Sequence, residues 1–178
     1  MSLLLVRHCQ STGGLRESAL TEKGHAAATL LADRLIPFRP DAIYASPYVR
    51  AVSTVSLLAT RLQIEIGLDD RLRERVRSSE EIEDVVGYLH RSFVDENYRA
   101  VGGESLRQAA DRGLAALADI RRAGHRFAVV ATHRTLISSI LRSINPGFGF
   151  AEWREMATPD VFSLRFEELR PIAFERLL

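Results

Sequence analysis

LLLVRH, residues 3–8, places four apolar residues directly before an arginine and a histidine. A short apolar run of this kind, followed by the small and polar residues CQSTGG, is typical of a buried strand and the loop after it. Ligands bind at the carboxyl ends of the strands in open α/β sheets. Arg7 and His8 are therefore predicted to lie at a ligand-binding edge.

The same pattern occurs a second time, late in the chain. FAVVAT, residues 127–132, runs directly into His133 and Arg134. Two strands are thus predicted to deliver a histidine and an arginine each to the edge of one sheet.

Strands and helices alternate along the rest of the chain. Apolar spacing predicts helices over Thr21–Leu35, from Ser46 to about Leu62, over about 104–123 and over 136–144. Further strands are predicted at residues 41–45 and 64–66, with a terminal β-hairpin at 161–166 and 172–176. This alternation favours an α/β fold, a three-layer α/β/α domain with a mostly parallel sheet.

The bulk properties indicate one domain over residues 1–178, with residues 71–100 as a small helical cap insertion. A net charge of +1 provides no general attraction for nucleic acid or a membrane surface. The single cysteine excludes an internal disulfide, and neither a signal peptide nor an apolar run of membrane-spanning length is present. We expect a cytoplasmic protein, and the sequence leaves its oligomeric state open.

Six landmarks in chain order resemble the histidine phosphatase superfamily, the phosphoglycerate mutase-like phosphatases and mutases. The first is RHC at residues 7–9, where the family has Arg-His-Gly. The others are LTEKG at residues 20–24, SPYVRA at 46–51, LRE at 72–74, GGES at 102–105 and TH at 132–133. The resemblance covers nearly the whole chain and implies phosphoryl-transfer chemistry.

The resemblance implies a nucleophile and a set of phosphate-binding residues. His8 is expected to attack phosphorus and form a phosphohistidine, since imidazole with its pKa of about 6.5 is largely neutral at pH 7. Arg7 and Arg50 are expected to clamp the phosphate, because a guanidinium grips phosphate oxygens in a bidentate fashion. His133 is expected to be a third donor, held protonated by the phosphate dianion, and Ser11 is expected to add a neutral hydrogen bond.

The resemblance also implies that Glu74 is the general acid that protonates the leaving oxygen, a role typically worth ~10²–10⁴-fold in rate. From the residues alone, Glu74 is one charge in a crowded segment and a solvated, salt-bridged surface is an alternative. The neighbouring charged residues are Asp69, Asp70, Arg71, Arg73, Arg75 and Arg77.

Three positions depart from the family pattern. Cys9 replaces the glycine after the first histidine, Gly14 stands where the family often has asparagine, and Arg134 replaces the glycine after the second histidine. Arg134 either intrudes on the pocket or points to solvent. For Cys9 we favour a small buried filler over a redox-active thiol.

We therefore expect a metal-independent phosphomonoester hydrolase that acts through a phosphohistidine. One alternative is mutase-type transfer, which the short chain disfavours because mutases of this family generally have a longer cap. The other is an inactive member that binds phosphorylated ligands or partners, which the three departures motivate. No cysteine or carboxylate cluster supports a metal site, and no Gly-rich Walker loop or dinucleotide fingerprint supports a nucleotide cofactor. The substrate, a phosphorylated small molecule or a phosphoprotein, stays unnamed.

Overall fold

The computed structural model describes residues 2–178 and contains one six-stranded sheet in the order β3-β2-β4-β1-β5-β6. Strands β1 to β4 run parallel to one another. Strands β5 and β6 form an antiparallel hairpin at one edge of the sheet, next to β1. The strands are β1 (Ser2–Arg7), β2 (Ala42–Ala45), β3 (Ile66–Leu68), β4 (Phe127–Thr132), β5 (Asp160–Glu167) and β6 (Arg170–Arg176). The predicted α/β class, mostly parallel sheet and terminal hairpin are confirmed.

Six α-helices connect or cover these strands within residues 2–178. They are α1 (Glu22–Leu35), α2 (Val49–Leu62), α3 (Val85–Val94), α4 (Leu106–Arg122), α5 (Arg134–Ile144) and α6 (Phe150–Glu155). No helix in this described part of the chain is long and apolar enough to cross a membrane.

The apolar residues of the central strand β1 explain the three layers. Leu3 and Leu5 of β1 pack on one side of the sheet with residues of α4 and α5. Leu4 and Val6 pack on the other side with residues of α1 and α2. Because neighbouring side chains of a strand face opposite sides, a continuous apolar strand requires helices on both faces.

The register of β1 and β4 determines where the site forms. These strands pair in parallel with Arg7 opposite Thr132, and the His8 N–H continues the ladder with a 2.9 Å bond to the Thr132 carbonyl. His8 and His133 therefore leave the sheet side by side, at the edge predicted from the sequence.

Capping chemistry fixes the helices that flank this edge. Thr21 caps α1 by accepting the Gly24 N–H at 3.0 Å. A side chain at Gly24 would meet the Gln10 carbonyl at 2.1 Å, so the loop after β1 packs closely on this helix only because residue 24 is glycine. Ser105 and Gln108 form a capping box at the start of α4.

Several predicted boundaries are corrected. Helix α2 begins at Val49 and not at Ser46. The ring of Pro47 disfavours helical backbone geometry in Ser46, the residue before it. Helix α5 begins at Arg134, two residues before the predicted start, and β3 lies at Ile66–Leu68 and not at 64–66. Of residues 71–100, only α3 is an α-helix, and the six-residue α6 was not predicted.

Candidate active site

Polar side chains from four segments line a cavity of about 340 Å³ at the carboxyl end of the sheet. Arg7 and His8 follow β1, and Arg50 comes from the first turn of α2. Glu74 comes from the loop after β3, and Arg134 begins α5. The other lining residues are Gly13, Gly14, Arg75, Arg77, Val85, Val86, Leu89, Thr135 and Trp153.

His8 is held with one ring nitrogen engaged by the backbone and the other beside a cation. Its Nδ1 lies 2.7 Å from the Cys9 carbonyl, which can only accept, so Nδ1 carries the proton. Nε2 then presents its lone pair and accepts the Arg50 Nε–H at 3.1 Å. Burial lowers the pKa of His8 to about 4, and the positive charges of Arg50, Arg7 and Arg134 add smaller effects in the same direction. The bond to the Cys9 carbonyl opposes this shift. The ring is therefore neutral at pH 7.

Arg7 and Arg50 are fixed by backbone carbonyls and not by carboxylates. Arg7 donates to the carbonyl oxygens of Met156 and Ala157, and Arg50 donates to that of Leu15 at 2.6 Å. Within residues 2–178, neither arginine has a carboxylate within 4.0 Å. Arg50 is only 3% exposed, and burial lowers the pKa of Arg7 to about 10. Two cations without a negative partner form an anion-binding arrangement.

His133 is fully buried next to His8, with 5.2 Å between the ring centroids. Its Nε2 lies 2.8 Å from the Ser46 hydroxyl, whereas Nδ1 has no partner among residues 2–178. Burial, followed by nearby positive charges, holds the pKa of His133 well below its usual range. The ring is neutral by itself, so the protonated form expected from the sequence requires the charge of an anion.

Glu74 lies at the amino end of α5. Its carboxylate accepts the N–H groups of Thr135 at 3.2 Å and Leu136 at 3.1 Å, as well as that of Arg75. It is half-buried and lines the same cavity as His8. Glu74 therefore does not belong to a solvated, salt-bridged surface, the alternative that the sequence left open.

A half-buried brace of Arg112 and Glu104 holds the Glu74 segment in place. Arg112 of α4 donates to the carbonyl oxygens of Arg71, Arg73 and Glu74. It also donates to both carboxylate oxygens of Glu104, and Oε2 of that carboxylate accepts the Val76 N–H as well. The family's Gly-Glu-Ser turn thus contributes a carboxylate that orients the arginine beneath Glu74.

Ser11 does not reach the cavity. Its hydroxyl donates to the Gly13 carbonyl at 2.9 Å, within its own loop, and it is not among the residues lining the cavity. Gly13 and Gly14 of the same loop lie at the cavity instead. The expectation that Ser11 bonds to phosphate is therefore not supported by its position.

Cys9 is a packed side chain. It is 0% exposed and lies against Leu20 and Ala28, with its N–H donating to the Thr54 hydroxyl at 2.9 Å. Burial raises the pKa of the thiol to about 11. A buried, protonated thiol is unreactive, as the sequence analysis favoured.

Arg134 points into the cavity and not to solvent. Its guanidinium lies 3.8 Å from the ring centroid of Trp153, the residue by which α6 joins the cavity wall. Trp153 was not predicted from the sequence, because a six-residue helix leaves no periodic pattern to detect.

The family model for the histidine phosphatase superfamily, branch 1, matches residues 3–171. The chain belongs to this superfamily. Phosphoserine phosphatase 1 of Hydrogenobacter thermophilus is 29% identical over 151 residues, covering 76% of this chain and 72% of that protein. A putative phosphoserine phosphatase 2 of the same organism is 38% identical over 79 residues, covering 40% and 39%.

Solved structures of this histidine phosphatase fold superpose along nearly the whole chain. A mycobacterial glucosyl-3-phosphoglycerate phosphatase with inorganic phosphate gives a TM-score of 0.81 at 23% identity, covering 99% of this chain and 95% of that one. A phosphoserine phosphatase mutant of Entamoeba histolytica gives 0.78 at 18%, covering 97% and 95%. The predicted family and fold are confirmed, and the named relatives are phosphomonoester hydrolases.

Proposed function

We propose that this histidine phosphatase hydrolyses phosphomonoesters without a metal, through a phosphohistidine on His8. The observation that carries the proposal is the state of His8, a neutral ring whose Nε2 lone pair lies beside Arg50. A nucleophile must be unprotonated at the attacking atom and must meet cations that attract the phosphate. His8 meets both conditions.

In the first step, Nε2 attacks phosphorus and the bond from phosphorus to the ester oxygen breaks. Glu74 delivers a proton to the departing oxygen, and the alcohol leaves. Glu74 is the one carboxylate among the cavity-lining residues of the described chain, so it is the group placed to supply this proton.

In the second step, water attacks the phosphorus of the phosphohistidine and the bond from nitrogen to phosphorus breaks. Glu74, now ionised, accepts a proton from that water, and inorganic phosphate is released. The same group acts as acid and then as base, as microscopic reversibility requires.

Arg7, Arg50 and His133 stabilise the charge on the transferring group. Cations held in place before the reaction cost little reorganisation when the transition state forms. Arg7 Nε and His133 Nδ1 are buried nitrogens without a partner among residues 2–178, and a phosphate oxygen would satisfy such donors.

The same geometry argues against the two alternatives. Cys9 keeps the carbonyl that orients His8, so this departure does not remove the nucleophile that an inactive binding protein would lack. A mutase must shield its phosphoenzyme from water, and residues 71–100 supply a single ten-residue α-helix as a cover.

We infer that the substrate is a small phosphorylated molecule. A cavity of about 340 Å³ lies at the small end of the range for ligand pockets. Relatives named as phosphoserine and glucosyl-3-phosphoglycerate phosphatases are consistent with this class.

Phosphate release from p-nitrophenyl phosphate in excess EDTA tests the proposal. We expect turnover by the wild type and a loss of roughly three orders of magnitude or more in His8→Ala. His25→Ala, which changes an exposed histidine on α1, is the matched control and should behave as wild type. Turnover near the wild-type rate in His8→Ala, or a strict need for a divalent metal, would refute the proposal.

A further inference from the structure

The charges lining the cavity are unbalanced. Five arginine side chains face it, whereas Glu74 is the one carboxylate among its lining residues in the described chain. The arginines are Arg7, Arg50, Arg75, Arg77 and Arg134. A phosphate dianion bound by Arg7 and Arg50 would balance the charge of those two arginines. The positive charge of the other three would then exceed that of the single carboxylate.

Arg75 is largely occupied by the protein, with only its Nη1 buried without a partner among residues 2–178. It is 3% exposed, and it donates to the Glu104 carbonyl at 2.8 Å and to the Tyr88 hydroxyl at 2.7 Å. Its backbone N–H also donates to Glu74. Burial lowers the pKa of the Arg75 guanidinium, and the charge of that carboxylate opposes this larger effect by raising it. Arg75 therefore acts as part of the cavity wall.

Arg77 and Arg134 are different, because neither side chain donates a hydrogen bond or forms an ion pair within residues 2–178. Arg77 is exposed at the cavity mouth, and Arg134 is half-buried. Both line the same cavity. Burial lowers the pKa of Arg134, the charge of Glu74 opposes this shift, and the charge of Arg77 adds to it. Two neighbouring guanidinium groups with free donors form a place for an anion.

Stacking holds Arg134 in position. Its guanidinium lies over Trp153, whose indole N–H donates to the Thr135 hydroxyl at 3.3 Å and whose ring stacks on Phe150 at 5.4 Å. A planar guanidinium fixed by an aromatic ring loses little freedom when it binds an oxyanion. The donors of Arg134 are therefore preorganised for a ligand.

Arg134 is also close to the chemistry. Its charge contributes to the lowered pKa values of Arg7 and His8. The next residue, Thr135, gives its N–H to Glu74, the proposed acid on the leaving-group side. A group bound by Arg134 would thus belong to the alcohol part of the substrate, a few bonds from the ester oxygen.

We propose that Arg134 and Arg77 form a second anion subsite that selects phosphomonoesters whose alcohol part carries a carboxylate or a second phosphate. The subsite rests on the proposed function only for the placement of the first phosphate. It assigns a role to Arg134, the residue that replaces the family's glycine, as a specificity-determining residue.

Three esters on one two-carbon scaffold test the subsite: 2-phosphoglycolate, ethane-1,2-diol bisphosphate and 2-hydroxyethyl phosphate. They differ only in a terminal carboxylate, phosphate or hydroxyl. For the wild type we expect kcat/KM for at least one anionic ester to exceed that for the hydroxyl ester by tenfold or more. The better anionic ester identifies which anion the subsite takes.

The variants Arg134→Gln and Arg77→Gln should each reduce this preference, with Arg134→Gln reducing it at least tenfold. Arg154→Gln is the matched control, since Arg154 contacts Phe150 of the same aromatic group but does not line the cavity. That variant should keep the wild-type preference.

Calorimetric binding of the same three esters to His8→Ala separates this proposal from the catalytic one. If the wild type hydrolyses nothing, including p-nitrophenyl phosphate, the proposed function fails, and tighter binding of an anionic ester that Arg134→Gln weakens still supports the subsite. Equal turnover and equal binding of all three esters, or a preference unchanged in both arginine variants, would overturn the subsite.

Discussion

The proton on His8 is governed by one backbone carbonyl. Because the Cys9 carbonyl engages Nδ1, the lone pair stays on the nitrogen that faces Arg50. Cys9 supplies this contact through its backbone, so the exchange of the family's glycine for cysteine leaves the tautomer intact. The backbone of Cys9 thus orients His8, whereas its side chain takes no part in that contact.

The lowered pKa of His8 gives a prediction for its titration. Its imidazole should titrate by NMR with a midpoint near the value of about 4 and stay neutral from pH 5 to 8. The unfolded chain, with a pKa of about 6.5, binds more protons in that interval, so His8 contributes to a loss of stability as the pH falls from about 6.5 to 4. Assignment of its signals uses His8→Gln, and a midpoint at or above 6.5 would contradict this account.

Glu74→Gln should slow alkyl phosphates far more than p-nitrophenyl phosphate. An alkoxide must be protonated as it leaves, whereas p-nitrophenolate leaves readily without help. We expect losses of ~10²-fold or more in kcat for an alkyl ester and under about tenfold for the aryl ester. Equal losses for both esters would assign Glu74 a structural role.

Cys9→Ala should keep substantial activity, because the thiol is buried, its pKa is raised to about 11, and the carbonyl that holds His8 is retained. Mild peroxide should then affect wild type and Cys9→Ala alike in an assay of phosphate release. Inhibition of the wild type alone, reversed by a thiol reductant, would make Cys9 a redox switch.

Much of the candidate site could be predicted at this scale. Arg7, His8, Arg50 and Glu74 line one cavity, and His133 lies buried behind His8, next to its ring. Ser11 could not be placed from sequence, because whether a loop hydroxyl faces a ligand or its own backbone depends on the turn. The direction of Arg134 depends on Trp153, which is 19 positions away and lies on an unpredicted helix.

At the scale of elements, periodic apolar patterns predicted the central strands and long helices well. β4 occupies the predicted residues 127–132, since a fully buried strand has a continuous apolar run with sharp ends. The cap region was less predictable. Much of residues 71–100 is loop, and hydrogen bonds to Arg75 and Arg112, rather than periodicity, fix its path.

The brace between α4 and the Glu74 loop gives a prediction for Arg112. Arg112→Met frees three carbonyl oxygens and leaves Glu104 partly unpaired, so the Glu74 segment should loosen. We expect kcat for an alkyl phosphate to fall more than tenfold, while the Kd for vanadate, which depends on Arg7 and Arg50, changes much less.

The matched control for this brace is Arg122→Met, which alters an exposed arginine of α4 whose one ion pair within residues 2–178 is with Asp119. It should leave both quantities near wild type. A loss of vanadate binding in Arg112→Met as large as its loss of kcat would mean that the brace supports the whole fold and not the position of Glu74.

For the whole molecule, net charge and local charge give different information. A total of +1 predicts no strong field, yet five arginines face one cavity. Composition could not reveal this concentration, because the arginines come from four separate parts of the chain that only folding brings to one cavity. The organisation of residues 1–178 as a single domain stays a prediction.

The central claim is that phosphate passes from the substrate to His8 and then to water. Rapid acid-free quenching of the wild type with ³²P-labelled p-nitrophenyl phosphate, followed by digestion and mass spectrometry, tests it directly. We expect a phosphorylated peptide containing His8 whose label is stable to alkali and lost in acid, and no such peptide from His8→Ala. Label on another residue, label that persists in His8→Ala, or turnover with no labelled protein at any quench time would contradict the account.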